Sequence, residues 1–333
     1  MSERKGAFLL GLVLFLAMFL IPFLALTGGA AAKRPSSPQP GSAARLPAAN
    51  GKQFRILDAK TGQVLSVDDR TFLRGAVAAE MSPLAGQEAL KAQAVACYTY
   101  YSRLRENRSG KPDASLKGAD FSAEPENWHT YVPEAQMRQR WGKNFDAWYK
   151  NLSAAADAVS GQVLTCGGEL IDATYFAISS GNTEASENVW GSKRPYLVSV
   201  ASPMDAFAGG FQTSVSYAPD EMKKRILQAA PHADLSGPES AWVGKIERTP
   251  AGTVKTVLLG GQSVTGNSAR SAFGLRSANF TAAWANGKCT FTVKGYGHGV
   301  GMSQVGAQAM ARQGADYRAI LAWYYPTARL TAL

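Results

Sequence analysis

Glu80 is the residue of this chain best set to move a proton. It closes the apolar run Ala76-Val77-Ala78-Ala79, with Met81 after it and Pro83 just beyond. A carboxylate at a helix C-terminus faces the negative end of the dipole, and burial further disfavours its charged form. Both effects raise the pKa, which suits a carboxylic acid that must donate a proton near neutral pH. On this stretch alone, a solvated Glu on the polar side of a short helix is the simpler reading. A second donor is His298, in Gly295-Tyr296-Gly297-His298-Gly299-Val300-Gly301-Met302-Ser303-Gln304. Alternate glycines let backbone approach a ligand closely and leave N–H groups free at a helix start. The spacing is not that of a P-loop, and no Lys-Ser/Thr pair ends it. His298 is a site donor or a loop histidine with its bonds already made.

A third stretch, Ser179-Ser180-Gly181-Asn182-Thr183-Glu184 followed by Ala185-Ser186-Glu187-Asn188-Val189-Trp190-Gly191, sets hydroxyls and amides beside an indole. Sugar sites use that mixture, flat apolar faces for the ring and polar groups for its hydroxyls. A surface loop held by one Trp has the same composition. The three cysteines, Cys97, Cys166 and Cys289, lie far apart, so at most one disulfide forms and no zinc spacing appears. None sits at a helix N-terminus or a nucleophile-like turn, which argues against a Cys–His hydrolase.

The elements that must position these groups follow from periodicity. Leu73 to Leu104 reads as two helices with a turn at Pro83 and Gly86, the first capped by Asp68 or Asp69. Leu90, Ala94, Cys97, Tyr101 and Leu104 form the stripe expected to be buried on the second. Gln53 to Val67 alternates as a hairpin leading into the Glu80 helix. Residues 110–133 are polar and irregular, with Trp128-His129-Thr130-Tyr131 anchoring a long loop. Helices are expected over 133–141 and 144–159, the latter burying Ala147, Leu152, Ala155 and Val159, and over 219–229. Gln162 to Cys166 turns at Gly167-Gly168 and returns as Leu170 to Ile178. Short strands follow at 241–247, 253–259 and 262–265, then a short helix at 268–273. A hairpin closes at Asn286-Gly287, and a helix follows the glycine loop. The fold class is α+β, with antiparallel β-hairpins packed around a catalytic helix pair.

Residues 1–5 carry Arg4 and Lys5, and residues 6–27 are apolar and uncharged, the length of one bilayer crossing. The N-terminal charges put that end in the cytoplasm. A cleaved signal peptide ending near Ala30-Ala31-Ala32 is the rival reading, but the apolar run exceeds a usual signal core. Residues 28–51, rich in Pro, Ser, Gly and Ala, form a flexible linker, and residues 52–333 form an extracytoplasmic domain. A net charge of +10 suits nucleic acid in principle, but an exported chain meets wall polymers and anionic lipid first, so no nucleic-acid partner is expected.

Taken in order, these stretches resemble stage II sporulation protein D, a membrane-anchored cell-wall enzyme family whose domain is shared by amidase enhancers. The pieces are Val77-Ala78-Ala79-Glu80-Met81, Glu88-Ala89-Leu90-Lys91-Ala92-Gln93-Ala94-Val95-Ala96, Ser180-Gly181-Asn182-Thr183 through Val189-Trp190, Pro195-Tyr196-Leu197, Ser202-Pro203 with Asp205, and Gly297 to Gln304. The resemblance implies a lytic transglycosylase that cuts glycan strands between N-acetylmuramic acid and N-acetylglucosamine, leaving an anhydro end, with Glu80 as the catalytic acid. It implies substrate contacts from Lys91, Tyr98, Ser180, Gly181, Asn188, Trp190, His298, Gly299, Ser303 and Gln304. It further implies stem-free peptidoglycan strands as substrate, and a sporulation amidase and membrane scaffold proteins of the engulfment complex as partners. The location it implies is the cell membrane, single-pass, with the domain in the septal space. Tyr98 stands where the family often has Arg, and Val305 where it usually has Tyr. Some members bind zinc beside the Ser-Gly loop. Ala177 and Ile178 precede it here, so no metal and no cofactor are expected, although Cys97, Cys166 and His129 remain free to meet in space. A non-catalytic, glycan-binding amidase activator is the alternative.

Overall fold

The computed structural model describes residues 53–333; the membrane-anchor and linker readings for residues 6–27 and 28–51 lie outside them. Among the described residues no helix is long and apolar enough to cross a membrane.

Helix α1 (Asp69–Glu80) starts where Asp68 caps it, its carboxylate accepting from the N–H groups of Arg70 and Thr71 at 3.1 and 3.0 Å. Asp69 instead turns inward to Tyr98 and Arg105. Helix α2 (Gln87–Gly110) is the axis of the domain. The expected stripe is buried through Tyr101, but so are Ala89, Ala92, Gln93, Val95, Ala96, Tyr98, Thr99 and Ser102. From Ala89 to Ser102 the helix has almost no polar face, and with Ala94 of the stripe four of its buried residues are alanines, over which neighbours pack closely. Those neighbours are α1, α4 (Phe145–Ala158), α8 (Gln304–Arg312), α9 (Tyr317–Tyr324) and strand β4 (Gln162–Cys166). Helix α4, which follows α3 (Glu134–Trp141), buries Phe145, Leu152, Ala155, Ala156 and Val159. Ala147 is exposed, a one-residue correction to the expected stripe.

Strands β1 (Gln53–Asp58) and β2 (Val64–Asp68) form the expected hairpin, and β3 (Phe121–Ala123) adds to β1 in parallel. The loop after β3 returns over α1 at Gly75, where a Cβ would lie 2.4 Å from the Tyr131 ring, so only glycine admits the crossing. Gly167 and Gly168, both at positive φ, turn β4 into β5 (Glu169–Leu170), and β14 (Arg329–Ala332) pairs with the other edge of β4. The return strand is broken: Tyr175–Phe176 (β6) leaves β4 and pairs in parallel with β13 (Met302–Ser303). Antiparallel hairpins around a helix pair therefore describe most of the pairing, but two pairs are parallel and much of the packing on α2 is helical.

Residues 212–294 carry a second core. Strand β7 (Gln212–Tyr217) joins the hairpin β11 (Phe280–Ala285) and β12 (Lys288–Lys294), closed by Asn286-Gly287. Strands β8 (Val243–Arg248), β9 (Val254–Leu259) and β10 (Gln262–Thr265) form another sheet. Helices α6 (Pro219–Ala229) and α7 (Gly266–Ala272) supply Met222, Ile226 and Ala269 to this core beside Phe273, Phe280 and Phe291. The short helix α5 (Ser186–Trp190) precedes this lobe in the chain, and the glycine loop follows it.

Candidate active site

Helix α1 ends at Glu80 because Met81 turns extended and Pro83 cannot continue it. The turn after it is clamped. Asn151 of α4 donates to the Pro83 carbonyl at 2.6 Å, and the Gly86 N–H donates to Gln308 of α8 at 2.8 Å. Gln304 Nε2 reaches the Glu80 carbonyl at 3.2 Å, satisfying one of the carbonyls a helix end leaves open. The Glu80 side chain is half-buried on the wall of a groove of about 420 Å³. Met81, Ser82, Leu84, Ala85, Ala177, Ile178, Gln304, Val305, Gln308 and Arg312 complete the lining, so among the described residues Glu80 is the only carboxylate in it.

Burial pushes the Glu80 carboxyl above its ordinary range. Hydrogen bonds from Tyr175 and Gln304, and the nearby His129 ring, pull the other way without restoring it. Behind Glu80, the Cys97 thiol donates to the Tyr175 hydroxyl at 3.4 Å, and Gln93 Nε2 donates to Cys97 Sγ at 3.2 Å. Burial pushes the Cys97 thiol up to about 12, so it is a packed thiol and not a nucleophile.

Tyr175 also joins the glycine loop to the groove. Its carbonyl accepts from His298, whose Nδ1 accepts from the Val300 N–H at 3.1 Å. Both ring nitrogens are therefore engaged, and burial with Arg270 nearby lowers the His298 pKa to about 4. The ring stays neutral and packs 5.2 Å from Trp190 and 5.7 Å from Phe176. In this structure the ring fixes the loop through these bonds. The Gly299 carbonyl accepts from the Glu184 N–H at 2.7 Å, and Gly301 has no room for a Cβ, which would lie 2.0 Å from the Thr174 oxygen.

Of the expected contact residues, only Gln304 shares the groove with Glu80. Ser180 and Gly181 stand just past the groove wall at Ile178; the Ser180 hydroxyl has no partner among the described residues, and the Gly181 carbonyl accepts from Ser202. Trp190 is half-exposed over His298. Asn188 is exposed but donates to Glu184 at 2.7 Å. Three of the expected contact residues bond elsewhere in this structure. Lys91 pairs with Glu88 at 2.6 Å and lies over the Tyr317 ring, held to α9 and away from the groove. Tyr98 is 3% exposed and bonded to Asp69, at the opposite end of α1 from Glu80, so the position of the missing Arg is structural here. Ser303 is fully buried, capping α8 through the Gly306 N–H and donating to Asp205.

Sequence reasoning gave Tyr175 no reading, and Gln93, Asp205 and Glu184, although in the quoted stretches, no role. Gln93 had a visible signal, an amide inside the apolar run Ala92 to Ala96. Asp205, buried, accepts from the Ser179 N–H at 2.7 Å, the Ser202 hydroxyl at 2.5 Å and Ser303, and Ser202 meets Tyr324 at 2.7 Å. Glu184, also buried, accepts from Asn188 and from Thr249 and Thr253 of the second lobe. These two carboxylates are fully bonded and hold loops. Among the described residues no group of His, Cys, Asp and Glu is arranged to hold a metal ion.

Comparison with known proteins adds to this geometry. The family model described as SpoIID, stage II sporulation protein, matches residues 58–166, which include Glu80. Stage II sporulation protein D of Bacillus subtilis (strain 168) is 34% identical over 257 residues, 76% of this chain and 71% of that protein. Its counterpart from Bacillus amyloliquefaciens is 35% identical over 256 residues, with the same coverage of 76% and 71%. The protein named amidase enhancer in Bacillus subtilis (strain 168) is 28% identical over 309 residues, 78% of this chain and 40% of that protein.

Proposed function

The chain belongs to the stage II sporulation protein D family, and on that premise we propose that it is a lytic transglycosylase acting on peptidoglycan glycan strands during sporulation. In this reading it is anchored through residues 6–27, with the domain outside the cytoplasm and stem-free strands of the septal wall as substrate. The observation that carries the reading is Glu80: one carboxyl, held above its ordinary pKa by burial, on the wall of a groove with no second acid.

A lone acid fits intramolecular closure better than two-carboxylate hydrolysis. Protonated Glu80 gives its proton to the glycosidic oxygen as the bond from that oxygen to C1 of muramic acid breaks. The muramic acid 6-hydroxyl oxygen then bonds to C1, and its proton passes to the Glu80 carboxylate. The proton is returned, no water is consumed, and the anhydro sugar leaves. Tyr175 and Gln304 orient the carboxyl for both steps.

The likeness to the amidase enhancer favours one further reading, a glycan-binding activator of a cell-wall amidase. Mass analysis of glycan fragments after incubation with the protein separates the two. Anhydro ends are expected. Reducing ends would replace the mechanism with hydrolysis, and glycan binding without fragments would leave the activator.

A further inference from the structure

Beside the Glu80 groove lies a second depression of about 470 Å³, lined by Met204, Phe207, Ala208, Gly209 and the outer face of α8. The two meet along one stripe of that helix, Val305, Gln308 and Arg312, which lines both. Gln304 stands at Glu80 and Arg312 eight residues on, so the stripe carries the surface about 12 Å from the acid. Phe207 stands at the far side with 82% of its surface exposed. A large ring left in water forgoes burial energy, and an exposed apolar group beside a groove marks a contact surface.

This ring is not on a loose loop. It ends the 3₁₀ turn Pro203–Phe207, whose Asp205 is buried and takes the three hydrogen bonds described above. The Ala208 N–H closes the turn on the Asp205 carbonyl at 3.0 Å. Arg312 has no carboxylate within ion-pair distance among the described residues. The second depression thus offers a fixed flat apolar face and an uncompensated cation, continuous with the catalytic wall.

We propose that a glycan strand bound at Glu80 continues across the Val305–Gln308–Arg312 stripe, placing a sugar ring on Phe207 and an oxygen-bearing ring substituent at Arg312. The proposal rests on the glycan reading of the Glu80 groove and adds a remote subsite to it. Flat apolar faces meet sugar rings as they do in other saccharide sites, and a guanidinium donates to carboxylate, carbonyl or hydroxyl oxygens alike.

The test is binding of unsubstituted N-acetylglucosamine oligomers of two, four and six units to the full chain in detergent, with cleavage blocked by Glu80→Gln. Affinity is expected to rise with length. Adding Phe207→Ala should weaken the hexamer about tenfold, the loss of one buried aromatic contact, and the dimer less than twofold. Phe207→Trp should restore the hexamer, and Arg312→Gln should weaken it by a smaller factor. Phe207 is exposed, so unchanged thermal unfolding is expected in each variant. Equal affinity of the hexamer with and without Phe207, or equal losses at every length, overturns the subsite and leaves Phe207 to a protein partner. If no oligomer binds at any length, the glycan reading itself falls.

Discussion

The Glu80 carboxyl holds its proton above the ordinary carboxylate range because burial costs the charged form more than its hydrogen bonds return. Replacing it with Gln keeps shape and hydrogen-bonding capacity but removes the transferable proton. Fragment release from stem-free strands should fall a hundredfold or more, with glycan binding retained. The folded pKa is raised, so the wild type loses stability as pH rises through it, and the variant does not. Glu80→Gln should therefore be more stable than wild type at neutral pH, with the difference vanishing in acid. Denaturant melts across pH measure this, and equal cleavage by both proteins would remove Glu80 from the chemistry. Tyr175 supplies a second test at this scale. Its hydroxyl favours the Glu80 carboxylate, so Tyr175→Phe should raise the carboxyl pKa further and move the alkaline limb of the pH–rate profile to higher pH. A limb that stays put, or moves down, contradicts that contact.

Element positions were largely legible where local chemistry decides them. The Asp68 cap, the Asn286-Gly287 and Gly167-Gly168 turns and the break at Pro83 all carry their cause in one or two residues. Strand β7 was not legible, because Gln212–Tyr217 is largely polar and none of its residues is fully buried; it forms by pairing with β12. Lys91 and Tyr98 entered through the resemblance, which carries no account of local packing; in this structure they bond to Glu88 and Asp69. The glycine pattern was similarly ambiguous, since Gly301 serves tight packing, not ligand access. Helix α8 shows how strongly an element is fixed. A Cβ on Gly306 would lie 2.0 Å from the Tyr324 hydroxyl and 2.3 Å from Ser202 Oγ. Gly306→Ala should cost about 1–3 kcal/mol by overpacking, read from the urea midpoint, and should lower activity by shifting Gln304. A variant as stable as wild type would show that the buried Asp205 cluster can yield.

At the scale of the molecule, the two cores are joined through loops that meet at His298. The glycine loop runs from the last strand of the second lobe to α8, and its histidine bonds Tyr175 while packing on Trp190. This junction has a defined pH response. The His298 pKa is about 4 in the folded protein against an ordinary value of 6.5, so the unfolded chain binds the proton more readily between those values. Stability from the neutral ring is fully present above pH 6.5 and is lost as pH falls toward 4. The shift corresponds to about 2–3 kcal/mol over that window. Glu80 and Asp205 work in the opposite sense, because their folded pKa values are raised and acid relieves a buried charge. The histidine contribution is therefore best read as a difference. His298→Gln removes the titration and keeps an amide that can donate to the Tyr175 carbonyl. The gap in unfolding free energy between wild type and variant should narrow steadily from pH 6.5 to pH 4, by the amount the shift implies. A gap that is constant across this range would mean that His298 protonates without breaking its contacts, and that the junction between the cores does not depend on its neutral form.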